Sequence, residues 1–342
     1  MLTIVSESHR AHDPRSADVD HGIVRAPVEV PARVDHIVAA IEAAGLGPVR
    51  PAAEFGPEPL LRVHEPDYVE FLATAHEEWR RATGAQDDAE LAPYARPLRG
   101  QPTVEPVHVV AKLGWYSHDS DPLLAGTFTA AAGAVDTALT AAHSVLSGDG
   151  RAAYALCRPP GHHAAADSFG GYCYLNNAAV AAQAAVDAGA RVAIIDVDFH
   201  HGNGTQQIFY DRSDVLYASL HADPAHHYPY FLGFADERGW GDGEGQTRNF
   251  PLAAGTDWNA YGAALDEALA LVGRFAPDFV VVSLGVDTAI EEPDSFGLVA
   301  GDFSRIGAAL AALDRPTVLV QEGGYDLDTL GRNVVNVLRE FD

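Results

Sequence analysis

Ile194-Ile195-Asp196-Val197-Asp198-Phe199-His200-His201-Gly202 is an apolar run that ends in carboxylates and imidazoles. The run reads as a buried strand over 191–197. Successive strand side chains alternate between faces, so Asp196, Asp198 and His200 are expected on one side. Ionised carboxylates buried without a partner cost several kcal/mol. Asp oxygen and His nitrogen are both ordinary zinc ligands, so a divalent cation is the economical partner. The bland alternative makes one Asp a helix cap and the His a packed loop residue.

Other strand-like runs end in the same kind of chemistry. The run 152–156 leads to Arg158-Pro159-Pro160-Gly161-His162-His163, 279–282 to Ser283-Leu284-Gly285-Val286-Asp287, and 317–320 to Gln321-Glu322-Gly323-Gly324-Tyr325. Open parallel sheets bind ligands at the carboxyl ends of their strands. Each cluster alone is compatible with ordinary turn chemistry, and together they predict one site.

Around these runs, strand and helix signals alternate almost throughout. Strands are expected at 2–5, 152–156, 191–197, 215–221, 279–284 and 317–322. Helices are expected at 32–44, 66–83, 127–146, 176–188, 259–275, 302–313 and 327–341. That alternation predicts a single α/β domain over 1–342, with a mostly parallel central sheet and helices on both faces. The segment 84–126 stands apart: it is polar, shows little periodicity and contains Pro93, Pro97, Pro102, Pro106 and Pro122. It is read as an inserted loop with no hydrophobic core of its own.

Composition narrows the function classes. The 342 residues carry 22 basic and 48 acidic side chains, a formal charge of −26, and Lys112 is the only lysine. Such a surface repels nucleic-acid phosphates, so no nucleic-acid partner is expected. No apolar run approaches the length of a membrane span, and the start resembles a strand rather than a signal peptide, which predicts a cytoplasmic protein without a membrane partner. Cys157 and Cys173 sit in apolar or aromatic surroundings and read as reduced core thiols.

The ordered motifs, from Arg-Pro-Pro-Gly-His162-His163 through Gly170-Gly171-Tyr172-Cys-Tyr-Leu-Asn-Asn and Asp196-Val-Asp198-Phe-His200-His-Gly-Asn203 to Asp287-Thr and Glu-Gly-Gly-Tyr325, resemble the histone deacetylase superfamily. Within it the chain is most similar to the bacterial acetylpolyamine amidohydrolases. The resemblance runs essentially end to end and implies the arginase–deacetylase fold. It implies Asp198, His200 and Asp287 as ligands of a catalytic Zn2+, with Fe2+ possible for so oxygen-rich a set. It implies His163 as general base and then acid, His162 as electrostatic support, Asp196 and Asn203 as their partners, and Tyr325 as the oxyanion donor. Asn203 stands where many histone deacetylases carry Asp, and a neutral partner should raise the basicity of His163 less.

The same resemblance implies Gly171, Tyr172 and Tyr228 along a substrate tunnel. It also implies a structural K+ site at Asp196, Ser219 and Leu220, with backbone carbonyls of Asp198, His200 and Leu220. Asp121 and Asp294 fall at the expected tunnel mouth, where they would hold the distal ammonium of a small acetylated polyamine. The segment 84–126 is similar to a dimerisation loop, so a homodimer is expected. The implied reaction is hydrolysis of an acetyl amide to acetate and free amine. The alternatives are a protein-lysine deacetylase and a non-catalytic module that binds acetylated ligands. Related ureohydrolases bind two manganese ions and carry an Asp at the position of Gly285, so a binuclear site is disfavoured.

Overall fold

The computed structural model describes residues 1–16, 18–20, 22–98, 100 and 102–342, with the backbone alone described at Asp20. The strands are β1 (Leu2–Val5), β2 (Asp18–Asp20), β3 (Ile23–Arg25), β4 (Val49–Pro51), β5 (Ala152–Leu156), β6 (Val192–Asp196), β7 (Val215–Ala222), β8 (Thr247–Leu252), β9 (Phe279–Leu284) and β10 (Thr317–Gln321). The helices are α1 (Ala32–Ala43), α2 (Pro66–Thr83), α3 (Val109–Trp115), α4 (Thr127–Leu146), α5 (Asn177–Asp187), α6 (Asn203–Phe209), α7 (Trp258–Phe275), α8 (Ala300–Ala311) and α9 (Leu330–Leu338).

Eight strands form one sheet in the order β4-β1-β5-β10-β9-β6-β7-β8. All its recorded pairings are parallel, as the alternation of strands and helices requires. The central strands are buried along their whole length, because helices cover both faces. The alternation is visible in β6, where Ala193 and Ile195 join the core under α1, α7, α8 and α9, while Val192 and Ile194 join the core under α4 and α5. Asn176 and Asp257 cap α5 and α7 by accepting the backbone N–H three residues on. Among the described residues, no helix is long and apolar enough to cross a membrane.

Six elements depart from the sequence reading: β2, β3, β4, β8, α3 and the short α6. The edge strands β4 and β8 escape a periodicity reading because one has only three residues and each contains a proline, tolerable only where a ladder hydrogen bond is dispensable. The β2–β3 hairpin also goes unread, with three-residue strands that pair antiparallel apart from the main sheet. The expected loop over 84–126 contains α3, and Leu91, Val109, Leu113, Tyr116 and Leu123 are buried against α2 and α4. This corrects the picture of a bare insertion: both ends are docked, and Leu91 bridges to Leu123. Tyr94, Leu98, Val104 and Val107 stay exposed between them.

Candidate active site

The sheet order explains why distant motifs meet. Strands β5, β10, β9 and β6 are consecutive neighbours, and their carboxyl ends carry His162 and His163, Tyr325, Asp287, and Asp198 with His200. Strand β6 itself stops at Asp196, so simple strand alternation does not place Asp198 and His200. Backbone bonds do it instead. Val197 N–H donates to Ser283 O at 3.0 Å. Asp198 N–H donates to Asp196 Oδ1 at 3.2 Å, and His200 N–H to Asp198 Oδ1 at 2.8 Å. Phe199 N–H donates to Asp287 Oδ1 at 2.9 Å, tying the loop to the end of β9.

The donor atoms of Asp198, His200 and Asp287 lie within 4.8 Å of one another. His200 Nδ1 is 3.0 Å from Asp287 Oδ2 and 3.4 Å from Asp198 Oδ1. Burial, followed by the neighbouring charge of Asp198, pushes Asp287 up to about 7. Two buried carboxylates facing one imidazole nitrogen are a mutually repelling set that a divalent cation would satisfy. A side chain at Gly285 would not fit there, since its Cβ would lie 2.0 Å from Asp198 Oδ2. A second buried group, His162, Cys173 and Glu322, is equally close. Of its members, Glu322 and His162 have protein partners: Glu322 Oε2 accepts the N–H of Gly161 at 2.7 Å and of His162 at 3.2 Å, and His162 faces Asp196.

The tandem histidines have unlike partners. His162 Nδ1 lies 3.1 Å from Asp196 Oδ2, which also accepts the Tyr217 hydroxyl at 3.1 Å. Burial would lower the basicity of His162, but the charges of Asp198 and Asp196 outweigh it and push the imidazole up to about 10. His163 Nδ1 lies 2.7 Å from Asn203 Oδ1. Burial, then the neighbouring His162 and His200, holds His163 well below its ordinary value, so this ring stays neutral. Tyr325 is the reverse case: burial keeps its hydroxyl protonated far above the ordinary tyrosine value, as a donor requires.

Of these groups, His163, His200, Asn203, Asp287 and Tyr325 line a cavity of about 650 Å³. Tyr172 packs edge-on to Tyr325 at 5.7 Å, and Tyr228 edge-on to His163 at 4.9 Å, and both line this cavity. Gly171 is left-handed (φ 58°), and a Cβ there would lie 2.4 Å from His163 Cδ2, so only glycine fits. Asp294 lines the same cavity. Asp121 is not an open rim residue. It is buried, its Oδ1 accepts Tyr172 N–H at 2.9 Å, and its Oδ2 has no partner. Ser219 pairs with Asp196 in the β6–β7 register, its hydroxyl lies 2.7 Å from His221 Nδ1, and Leu220 follows it fully buried.

Sequence reasoning misses several groups that shape this cavity. Asp18 on β2 accepts the Tyr172 hydroxyl, and Asp119 Oδ2 accepts Gly171 N–H at 3.3 Å. Arg33 on α1 and Glu292 hold the turn that carries Tyr325. No motif signals them, because they come from segments far away in the chain or from an unremarkable loop. Arg158 is legible within its motif but not in its role. It donates from Nε to Glu29 Oε1 at 2.9 Å and from Nη1 to His9 O and His12 O at 2.6 and 2.7 Å.

Known proteins share the sequence and the fold of this chain. The model of the histone deacetylase domain matches residues 27–341. Acetylpolyamine amidohydrolase 2 of Pseudomonas aeruginosa is 48% identical, over 100% of this chain and 99% of the relative. The crystal structure of acetylpolyamine aminohydrolase from Burkholderia pseudomallei superposes with a TM-score of 0.91 at 42% identity, covering 100% of this chain and 98% of that one. The HD domain of HDA15 gives a TM-score of 0.81 at 29% identity, covering 99% and 90%. The chain therefore belongs to the histone deacetylase domain family, with the mostly parallel deacetylase fold.

Proposed function

We propose that this chain hydrolyses the acetyl amide of small acetylpolyamines, releasing acetate and the free amine. The observation that carries this reading is the cavity itself. Its lining brings His163, His200, Asp287 and Tyr325 together with the carboxylates of Asp18, Asp119, Asp121 and Asp294. An acid-lined passage ending at amide-hydrolysing groups suits a linear cationic amide. Relatives matched over their full length carry the name acetylpolyamine amidohydrolase, which supports the same substrate class.

Asp198, His200 and Asp287 would hold one divalent ion, Zn2+ or Fe2+, which supplies Lewis acidity to the amide carbonyl. His163, neutral and aligned by Asn203, takes the proton of the attacking water and passes it to the leaving amine. His162, held by Asp196, gives electrostatic support to the negative charge that develops. The Tyr325 hydroxyl donates to the oxyanion of the tetrahedral intermediate. Tyr172 and Tyr228 keep the alkyl chain straight and exclude water from it. A structural K+ at Asp196, Ser219 and Leu220, a homodimer through the exposed part of 84–126, and a cytoplasmic location complete the proposal.

The metal claim is tested by elemental analysis of the wild type and of Asp287→Ala and His200→Ala. One divalent ion per wild-type chain, with its loss and loss of turnover in both variants, is the expected result. Two ions per chain would overturn it and point to ureohydrolase-like chemistry.

A further inference from the structure

The turn that presents Tyr325 is gripped from both sides. On one side Arg33 donates from Nε to Gly324 O at 2.7 Å and from Nη2 to Glu322 O at 2.5 Å. Its guanidinium also lies 4.9 Å above the Tyr325 ring. On the other side Glu292 Oε1 accepts the N–H of Tyr325 at 2.6 Å and of Asp326 at 2.9 Å. Glu292 is only 7% exposed, and burying a carboxylate is costly unless its bonds matter. It follows Asp287 within one short segment, whose fold is set by Ala289 N–H on Val286 O and Glu292 N–H on Ala289 O. The segment that supplies a metal-binding carboxylate thus also holds the backbone of the oxyanion donor.

We infer that Glu292 is a positioning residue for Tyr325, fixing through two backbone amides how far the phenol reaches over the cavity floor. The inference rests on the reading of Tyr325 as oxyanion donor. A displacement of about 1 Å in a reacting group can cost about 100-fold in rate, so the grip has a kinetic consequence. A purely structural cap would instead change unfolding and leave turnover alone.

The test is a double-mutant cycle on the metal-loaded enzyme with wild type, Glu292→Ala, Tyr325→Phe and the double variant, each with KM, kcat, metal content and thermal unfolding. Glu292→Ala should lower kcat by about 10–100-fold with KM within about threefold and unchanged metal content. In the Tyr325→Phe background the same change should add less than about twofold, because the group it positions is gone. Glu292→Gln, whose amide oxygen accepts both N–H groups, should retain most turnover. If the alanine protein is unstable, Glu292→Asp, one methylene shorter, enters the same cycle. A folded Glu292→Ala protein with wild-type kcat, a raised KM at constant kcat, or fully multiplicative losses would each overturn the inference. Wild-type turnover in Tyr325→Phe would instead sink the reading of the tyrosine, and the two failures are distinguished by that single variant.

Discussion

His163 turns its Nδ1 to the amide oxygen of Asn203 at 2.7 Å, while the adjacent His162 turns the same atom to a carboxylate. The pair is therefore built with unequal basicity, and the ring proposed as the base is the more weakly supported one. Asn203→Asp should raise the basicity of His163. A base works only when neutral, so the acid limb of the kcat/KM profile should move to higher pH, by about one unit. Asn203→Ala should lower kcat without that displacement. An acid limb that stays in place in Asn203→Asp would show that another group sets it.

Glu29 is buried between two guanidiniums, with Oε1 accepting from Arg33 Nη1 and Arg158 Nε at 2.9 Å each. Burial would raise its carboxyl, but Arg158 and Arg33 outweigh that and hold it below the ordinary 4.5. A lowered carboxylate contributes stability that is present above its unfolded value and lost as pH falls through its folded one. Glu29→Gln should cost about 3–5 kcal/mol near neutral pH, because two buried cations lose their partner. The gap to wild type in denaturant unfolding should narrow as pH falls below about 4.5. A gap that is constant with pH would mean the loss is packing, not charge.

Asp121 is pushed well above the ordinary carboxylate value by burial and then by the nearby Asp119. An ammonium reaching its unpartnered oxygen would restore the ionised form. Asp121→Asn should therefore lower kcat/KM for acetylputrescine by about 5–150-fold, corresponding to about 1–3 kcal/mol. A neutral acetyl-alkylamine of equal length should be nearly unaffected. Equal losses on both substrates would leave Asp121 as support for the Tyr172 backbone alone.

Tyr94, Leu98, Val104 and Val107 are exposed on a segment docked at both ends. Apolar side chains so displayed predict burial against a second copy. Wild type should sediment as a dimer at micromolar concentration, and replacing these four with serine should give a folded monomer. A monomeric wild type contradicts this.

The floor of the site was legible because its residues sit at strand ends, where apolar runs change abruptly to polar chemistry. Asp198, His200 and Asp287 converge as that pattern suggests, although loop hydrogen bonds rather than strand alternation aim the first two. The walls were far less legible. Asp18 reaches Tyr172 from a hairpin with no apolar rhythm, and Arg33 occupies an ordinary first turn of α1. Asp121 is singled out by the resemblance as a mouth residue, but its burial against the Tyr172 backbone shows only in the fold. Glu292 carries no motif, and only the turn it holds gives it meaning. The edge strand β8 was hidden for a different reason, since Arg248 and Pro251 belong to a strand with one unpaired side.

The central claim is that the acid-lined cavity selects small cationic amides for hydrolysis. The most direct measurement is acetate release by metal-reconstituted wild type from acetylputrescine and from an acetyl-lysine peptide, compared as kcat/KM. The account predicts efficient turnover of acetylputrescine, at least about tenfold above the peptide, a difference of about 1.4 kcal/mol in transition-state binding. Equal or better turnover of the peptide would contradict it in favour of a protein deacetylase, and binding of acetylputrescine without acetate release would mark a module that only holds its ligand.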